Sequence, residues 1–204
     1  MLEKLAEFPE NYDEQKRQKL LLKLSETAKS TFDLLENLLN WSKSQTGIIS
    51  FEPTNLKVTD IIQELVKFAQ PIADKKHICI SSIVKPTVTV FADSNMLKTI
   101  FRNLLTNAIK FTPENGYIQI FSNPKGDFVE FGIKDNGMGI SKEIKNSLFL
   151  NPGIYSSLGT QQEKGSGLGL LLCKDFTEIN GGQIRVESEV EIGSIFYFTL
   201  KTKL

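Results

Sequence analysis

Three short segments carry side chains suited to chemistry, in a fixed order along the chain. The first holds Asn103, Asn107 and Lys110; the second Asp135, Gly137 and Gly139; the third Gly165, Ser166, Gly167, Leu168 and Gly169. Steps of four and three put the first set on one stripe of a helix. Two amide oxygens there are neutral, hard ligands, matched to a magnesium ion that arrives with phosphate oxygens and water. Lys110 adds a point charge for a phosphate. An ionised Asp135 at a strand end only accepts hydrogen bonds, which suits the exocyclic amine of adenine. Gly137 and Gly139 let the backbone turn and approach a flat ring. The third segment opens a helix, where unpaired N–H groups beside glycines form an anion site. Metal, adenine and phosphate chain together make an ATP binder.

Each segment also has a plain structural alternative: solvated helix residues, an Asp-Asn-Gly turn, and an ordinary helix start. The third is not the phosphate loop of the common NTPases, which ends in Gly-Lys-Ser/Thr. Nor is it a dinucleotide fingerprint, because no strand leads directly into it and Leu170 stands where the last glycine belongs. Residues 140–164, between the second and third segments, lack clear periodicity and are expected to be largely irregular. Loops of that length in compact domains are usually functional lids or disordered. Its position marks it as a lid over the nucleotide, with Lys164 reaching the outer phosphates.

Helices must carry the first and third segments and strands the second. Asp93 is placed to cap a helix over 94–111 with the apolar face Leu97, Ile100, Phe101, Leu104, Ala108 and Phe111. Another helix is expected over 61–74, and a third over about 166–180, ended by Gly181 and Gly182. Residues 77–84 and 87–91 read as short strands, 117–122 and 127–134 as a hairpin turning at 123–126, and 183–188 and 194–201 as a second hairpin. Helices mixed with hairpins predict an α/β fold, a two-layer sandwich with helices on one face of an antiparallel-rich sheet. Residues 14–45 lack glycine and proline and show heptad spacing through Leu21, Leu24, Ala28, Thr31, Leu35, Leu38, Ser42 and Gln45. Leu22, Phe32 and Leu39 broaden that stripe towards a helical bundle, and Gly47 is placed to stop the helix. Residues 1–8 read as the stub of a preceding helix.

With 204 residues, 40% hydrophobic, the chain can bury a full core. Lysine plus arginine equals aspartate plus glutamate at 24 each, which leaves no electrostatic footprint for nucleic acid or anionic lipid. Neither a membrane span nor a cationic leader is expected. Cys79 and Cys173 fall in apolar segments and are expected to be buried, reduced thiols in a cytosolic setting.

The ordered motifs resemble the catalytic ATP-binding domain of bacterial sensor histidine kinases, over roughly residues 55–204. The resemblance extends into the N-terminal helix, where the segment around Trp41 to Gly47 is similar to the end of a dimerisation helix. It implies a Bergerat-type sandwich preceded by a long amphipathic helix from a dimerising bundle. It implies a domain at 1–47, a helical hairpin reduced to a stub and its second helix, and an ATP-binding domain at 55–204 with its lid at about 140–164. By the same resemblance Asn107 is the main magnesium ligand and Asn103 assists it. Lys110 contacts phosphate, Phe111 lies near adenine, Asp135 binds the amine, and Gly137, Gly139 and Ile140 shape the adenine turn. Lys164 stands at the end of the lid, and the backbone of Gly165, Ser166, Gly167, Leu168 and Gly169 meets the phosphates. The implied activity is phosphoryl transfer from MgATP to a histidine, with signalling to a response regulator receiver domain. A homodimer and a cytoplasmic location, free or as part of a membrane-anchored sensor, follow from the same resemblance.

Hydrolysing relatives in the wider superfamily (chaperone, topoisomerase and mismatch-repair types) place a glutamate base four residues before the metal asparagine. Here that position is Asn103, which takes no proton at neutral pH, so rapid intrinsic hydrolysis is not expected. The chain also departs from the kinases. Its one histidine, His77, sits at the expected start of a strand within the ATP domain, and no acceptor histidine precedes it. The chain is therefore expected to begin after the phosphorylation site, to bind ATP, and not to phosphorylate itself. A non-binding scaffold and an anti-sigma-type serine kinase are the competing functions; the intact motifs disfavour the first and the heptad helix the second.

Overall fold

The computed structural model describes residues 13, 15–18, 20, 21, 24, 27, 28, 31, 32, 35, 38, 39, 42, 50–149, 158–161, 163 and 167–203. The chain divides into two units, Met1–Leu39 and Asn40–Leu204. In the first, the described residues from 15 onward are helical, as the heptad spacing predicts. Asp13 opens that helix by accepting the Lys16 N–H on Oδ1 at 2.6 Å. Leu21, Phe32, Leu35, Leu38 and Leu39 of the stripe are exposed. The expected stub at 1–8, Trp41 and the stop at Gly47 lie outside the described residues.

The second unit runs β1 (Pro53–Lys57), α1 (Val58–Asp74), β2 (Cys79–Ser82), β3 (Thr89–Asp93), α2 (Ser94–Phe111), β4 (Tyr117–Lys125), β5 (Phe128–Asp135), α3 (Lys142–Ser147), α4 (Gly169–Ile179), β6 (Ile184–Glu189) and β7 (Gly193–Lys201). Five strands form a sheet in the order β2-β4-β5-β7-β6. Only the β2–β4 pairing in it is parallel. β1 and β3 pair antiparallel as a separate ribbon.

The core is set by period. Along β5 and β7, Val129, Phe131 and Ile133 and then Phe196, Phe198 and Leu200 alternate onto one face, where they are buried. The apolar stripe of α2 (Leu97, Ile100, Phe101, Leu104, Ala108) and Leu172, Cys173 and Phe176 of α4 complete the same cluster. At its centre Phe101 meets Phe131 and Phe198 edge-on, with ring centroids 5.5 and 5.0 Å away. This is the two-layer α/β sandwich expected from the mixture of helices and hairpins.

Several expectations are corrected. Cys79 is exposed, because it lies on the short edge strand β2; Cys173 is buried, and burial pushes its thiol up. His77 does not start a strand but stands in the turn before β2 at φ 51°, where its side chain pairs with Glu114 at 3.8 Å. The β4–β5 turn is only Gly126 and Asp127, since Pro124 and Lys125 still pair with Val129 and Phe128. Within the segment expected to be irregular, Ser141 caps the short helix α3. β1 was not foreseen: its polar residues carry no alternation, and β3 supplies its register. Among the described residues no helix is long and apolar enough to cross a membrane.

Candidate functional site

Helix α2 begins as expected, with Asp93 Oδ1 accepting the N–H groups of Asn95 and Met96 at 2.9 and 3.0 Å. Asp93 Oδ2 takes the Glu52 N–H at 3.0 Å, which ties the chain entering β1 to the same cap. From this fixed start the helix carries Asn103, Asn107 and Lys110 along one flank of its buried face, and all three are half-buried. Asn107 makes no side-chain hydrogen bond to any described residue. Asn103 Nδ2 is buried without a hydrogen-bond partner. Lys110 Nζ lies 4.6 Å from the centroid of the half-buried Phe111 ring. Burial lowers the Lys110 pKa, and the nearby Glu163 carboxylate offsets part of that.

Asp135 ends β5 almost wholly buried. Its Oδ1 accepts two backbone N–H groups, from Gly137 at 2.8 Å and Ser194 at 3.2 Å. No described donor meets Oδ2. Burial raises the carboxyl to about 6, although both hydrogen bonds favour the ionised form. The turn that follows is crowded by main chain. A Cβ on Gly137 would run into the Phe111 carbonyl, and one on Gly139, at φ 68°, into the Glu189 carbonyl. The Met138 N–H donates to the Phe111 carbonyl at 3.2 Å, so the turn hangs from the end of α2. The Ile140 N–H reaches Ser188 Oγ at 2.8 Å, and Ser188 in turn donates to the Gly193 carbonyl at 2.9 Å.

The third segment meets the first. A Cβ on Gly169 would stand 3.1 Å from Asn103 Oδ1, within tight contact. Gly167 adopts φ 72°, and α4 starts after Leu168, whose apolar side chain makes no cap hydrogen bond. Leu168 and Gly169 are half-buried there. Lys164, Gly165 and Ser166 lie outside the described residues.

All three segments thus converge on α2: the aspartate turn at its carboxyl end, the glycine segment beside Asn103. Sequence reasoning missed Ser194 and Ser188, whose roles arise from strand register, and Lys76, which reaches the end of α2 from the turn after α1. Lys76 lies in a charged run that reads as solvated surface, and no signal in the sequence marks it.

Among the described residues no three or more His, Cys, Asp or Glu gather as a metal site. The metal-ligand atoms on offer are the amide oxygens of Asn103 and Asn107, both neutral and hard. That set fits a magnesium ion carrying phosphate oxygens, and it does not fit a bare ion held by protein alone.

Residues 92–204 match the family described as histidine kinase-, DNA gyrase B- and HSP90-like ATPases. The chain is 34% identical over 186 residues to the adaptive-response sensory kinase SasA of Synechocystis sp., across 90% of this chain and 48% of that protein. It therefore spans about half the length of that relative. The nucleotide-free catalytic domain of the histidine kinase ThkA superposes with a TM-score of 0.66 at 28% identity, over 74% of this chain and 97% of that one. Full-length ShkA, crystallised in complex with AMPPNP, gives a TM-score of 0.77 at 24% identity over 94% of this chain and 40% of that one, a likeness of fold alone.

Proposed function

Because the chain belongs to the histidine kinase-, DNA gyrase B- and HSP90-like ATPases, we propose that it is the ATP-binding catalytic portion of a sensor histidine kinase. Residues 55–204 form the kinase domain, and 1–47 belong to a dimerising helical bundle. The observation that carries the proposal is Asp135. One oxygen is held by two backbone N–H groups, and the other is left open beside two glycines whose side-chain space is filled by main chain.

Each residue then has a task. Asp135 Oδ2 accepts from the adenine amine, and Gly137, Gly139 and Ile140 form the wall on which the base lies, with Phe111 beside it. Lys110 draws the phosphates, and the first N–H groups of α4 with Gly167, Leu168 and Gly169 receive their oxygens. Gly165, Ser166 and Lys164 extend that phosphate site. Asn107, assisted by Asn103, holds the magnesium ion; when bound, the ion neutralises phosphate charge. Asn103 leaves the site without a base for water. The chemistry that fits is attack by a neutral imidazole nitrogen on the γ-phosphorus. An N–P bond forms as the bond to the ADP oxygen breaks, and ADP leaves. Positioning and charge stabilisation supply most of the acceleration. The acceptor histidine, a homodimer, a response regulator receiver domain and a cytoplasmic setting complete the proposal.

The test is titration with a non-hydrolysable ATP analogue and magnesium, followed by radiolabelled ATP with a supplied helical hairpin bearing a histidine. Saturable binding near millimolar concentration or tighter, with label on the hairpin and none on this chain, is expected. No binding would favour a scaffold, and label on His77 would overturn the assignment of the acceptor.

A further inference from the structure

Lys76 is the least expected buried group in the second unit. A lysine is almost never fully buried unless its charge is paired, yet this residue is 2% exposed. It follows α1 in a turn closed by the Lys76, His77 and Ile78 N–H groups, each at 3.0 Å from a carbonyl of the last turn of α1. Its ammonium reaches four oxygens on two separate stretches of chain. Two are the carbonyls of Ile109 and Lys110, at 2.8 and 3.2 Å, near the end of α2 where helical carbonyls lack partners. The others are Thr160 Oγ1 at 2.5 Å and Glu163 Oε1 at 3.3 Å. A positive charge is also favoured there by the helix dipole.

The junction extends beyond Lys76. The Thr160 N–H donates to the Lys110 carbonyl at 3.0 Å, and its hydroxyl to the Thr112 carbonyl at 3.0 Å. A Cβ on Gly159 would strike the Lys110 side chain and the Glu163 carboxylate. Burial pulls the Glu163 carboxyl up, but backbone N–H groups and Lys76 outweigh it and hold the pKa below its ordinary value. Glu163 also acts on the charge of Lys110. The same helix end receives the Met138 N–H on the Phe111 carbonyl. The end of α2 is therefore a shared anchor for the aspartate turn and for the strip containing Gly159, Thr160 and Glu163.

We propose that Lys76 is a positioning residue for nucleotide binding, fastening that strip to the end of α2 so that Lys110 faces the phosphates instead of Glu163. This rests on the nucleotide reading of the site. Lys76 touches neither base nor phosphate; it acts by occupying Glu163 and by holding the carbonyls that orient Lys110 and Phe111. Without it, the Glu163 carboxylate, which already acts on Lys110, loses the ammonium that shares its charge, and phosphate competes for Lys110 with a carboxylate no longer offset.

The experiment measures affinity for a fluorescent ATP analogue, together with the thermal midpoint, in the full chain and in Lys76→Met, Thr160→Val, the double variant and Asp135→Ala. Lys76→Met is expected to weaken binding about tenfold, a typical size for coupling between linked groups, while still melting cooperatively. Thr160→Val, on the exposed side of the junction, should weaken binding in the same direction, and the double variant no more than Lys76→Met alone. Wild-type affinity in either single variant, or losses that multiply in the double, would overturn the proposal. If Lys76→Met does not fold, Thr160→Val decides by its own affinity. Loss of binding in Asp135→Ala keeps the nucleotide reading intact whatever Lys76 does, whereas a wild-type chain that binds no analogue overturns both.

Discussion

Ser194 donates its backbone N–H to Asp135 Oδ1 at 3.2 Å from directly across the β5–β7 ladder. With the Gly137 N–H on the same oxygen, the carboxylate is fixed from both sides and its free oxygen is aimed by main chain alone. Replacing Asp135 with alanine should therefore abolish nucleotide binding and leave the Gly137 and Ser194 N–H groups without their acceptor. Calorimetric titration checks the first part, and a urea midpoint that has lost the wild-type pH dependence checks the second.

Asn107 should behave differently. It makes no side-chain hydrogen bond to a described residue, so Asn107→Ala leaves no broken partner behind. The expected loss is the magnesium dependence of binding, with metal-free affinity preserved. Titrations with and without magnesium decide; equal, metal-independent losses in the Asn107 and Asp135 variants would contradict both roles.

The buried carboxyl predicts a pH signature. Asp135 sits at about 6 in the folded chain against an ordinary 3.8. As pH rises between these values, the unfolded chain releases this proton before the folded chain does. Stability from this group is therefore full below the lower value and declines towards the upper one, by about 3 kcal/mol. Nucleotide affinity should run the other way, rising about tenfold from about pH 5 to about pH 7 as Oδ2 becomes a pure acceptor. A wild-type affinity as flat with pH as that of Asp135→Asn would sink this assignment.

Gly139→Ala should be costly for two separable reasons. The backbone is at φ 68°, and a methyl group there meets the Glu189 carbonyl. A loss of about 2 kcal/mol or more in urea unfolding is expected, together with weaker nucleotide binding as the turn shifts. An alanine variant as stable as wild type would mean that the β6–β7 connection yields easily.

Phe198 is fully buried among Phe101 and Phe131. Phe198→Ala should cost about 3–5 kcal/mol, transfer and cavity together. Chemical denaturation measures it directly.

Much of this was legible in the sequence because local chemistry and tertiary structure agree. Asp93 caps α2 as its position predicts, and the apolar stripe of α2 is the one that is buried. The site could be read for candidates wherever a residue's own type suggests a role, as with Asn107, Asp135 and Gly139, whose nucleotide-binding roles are the proposal. It was not readable where the role belongs to another residue's backbone. Nothing in Ser194 announces that its N–H will face Asp135, because only the strand register puts it there. Nothing near Lys76 in sequence marks it for burial; its ammonium meets the Ile109 and Lys110 carbonyls and Thr160, 84 residues further on. Cys79 misled for the opposite reason: an apolar neighbourhood in sequence became an outward position on an edge strand.

The two N–H groups that occupy Asp135 Oδ1 have one further consequence. They leave the other oxygen to a guest that brings hydrogens. If that guest is a purine, as proposed, guanine offers a carbonyl at the position where adenine offers its amine, so it would set lone pair against lone pair. Discrimination between the two bases would then be written into one turn and one strand pairing before any visitor enters.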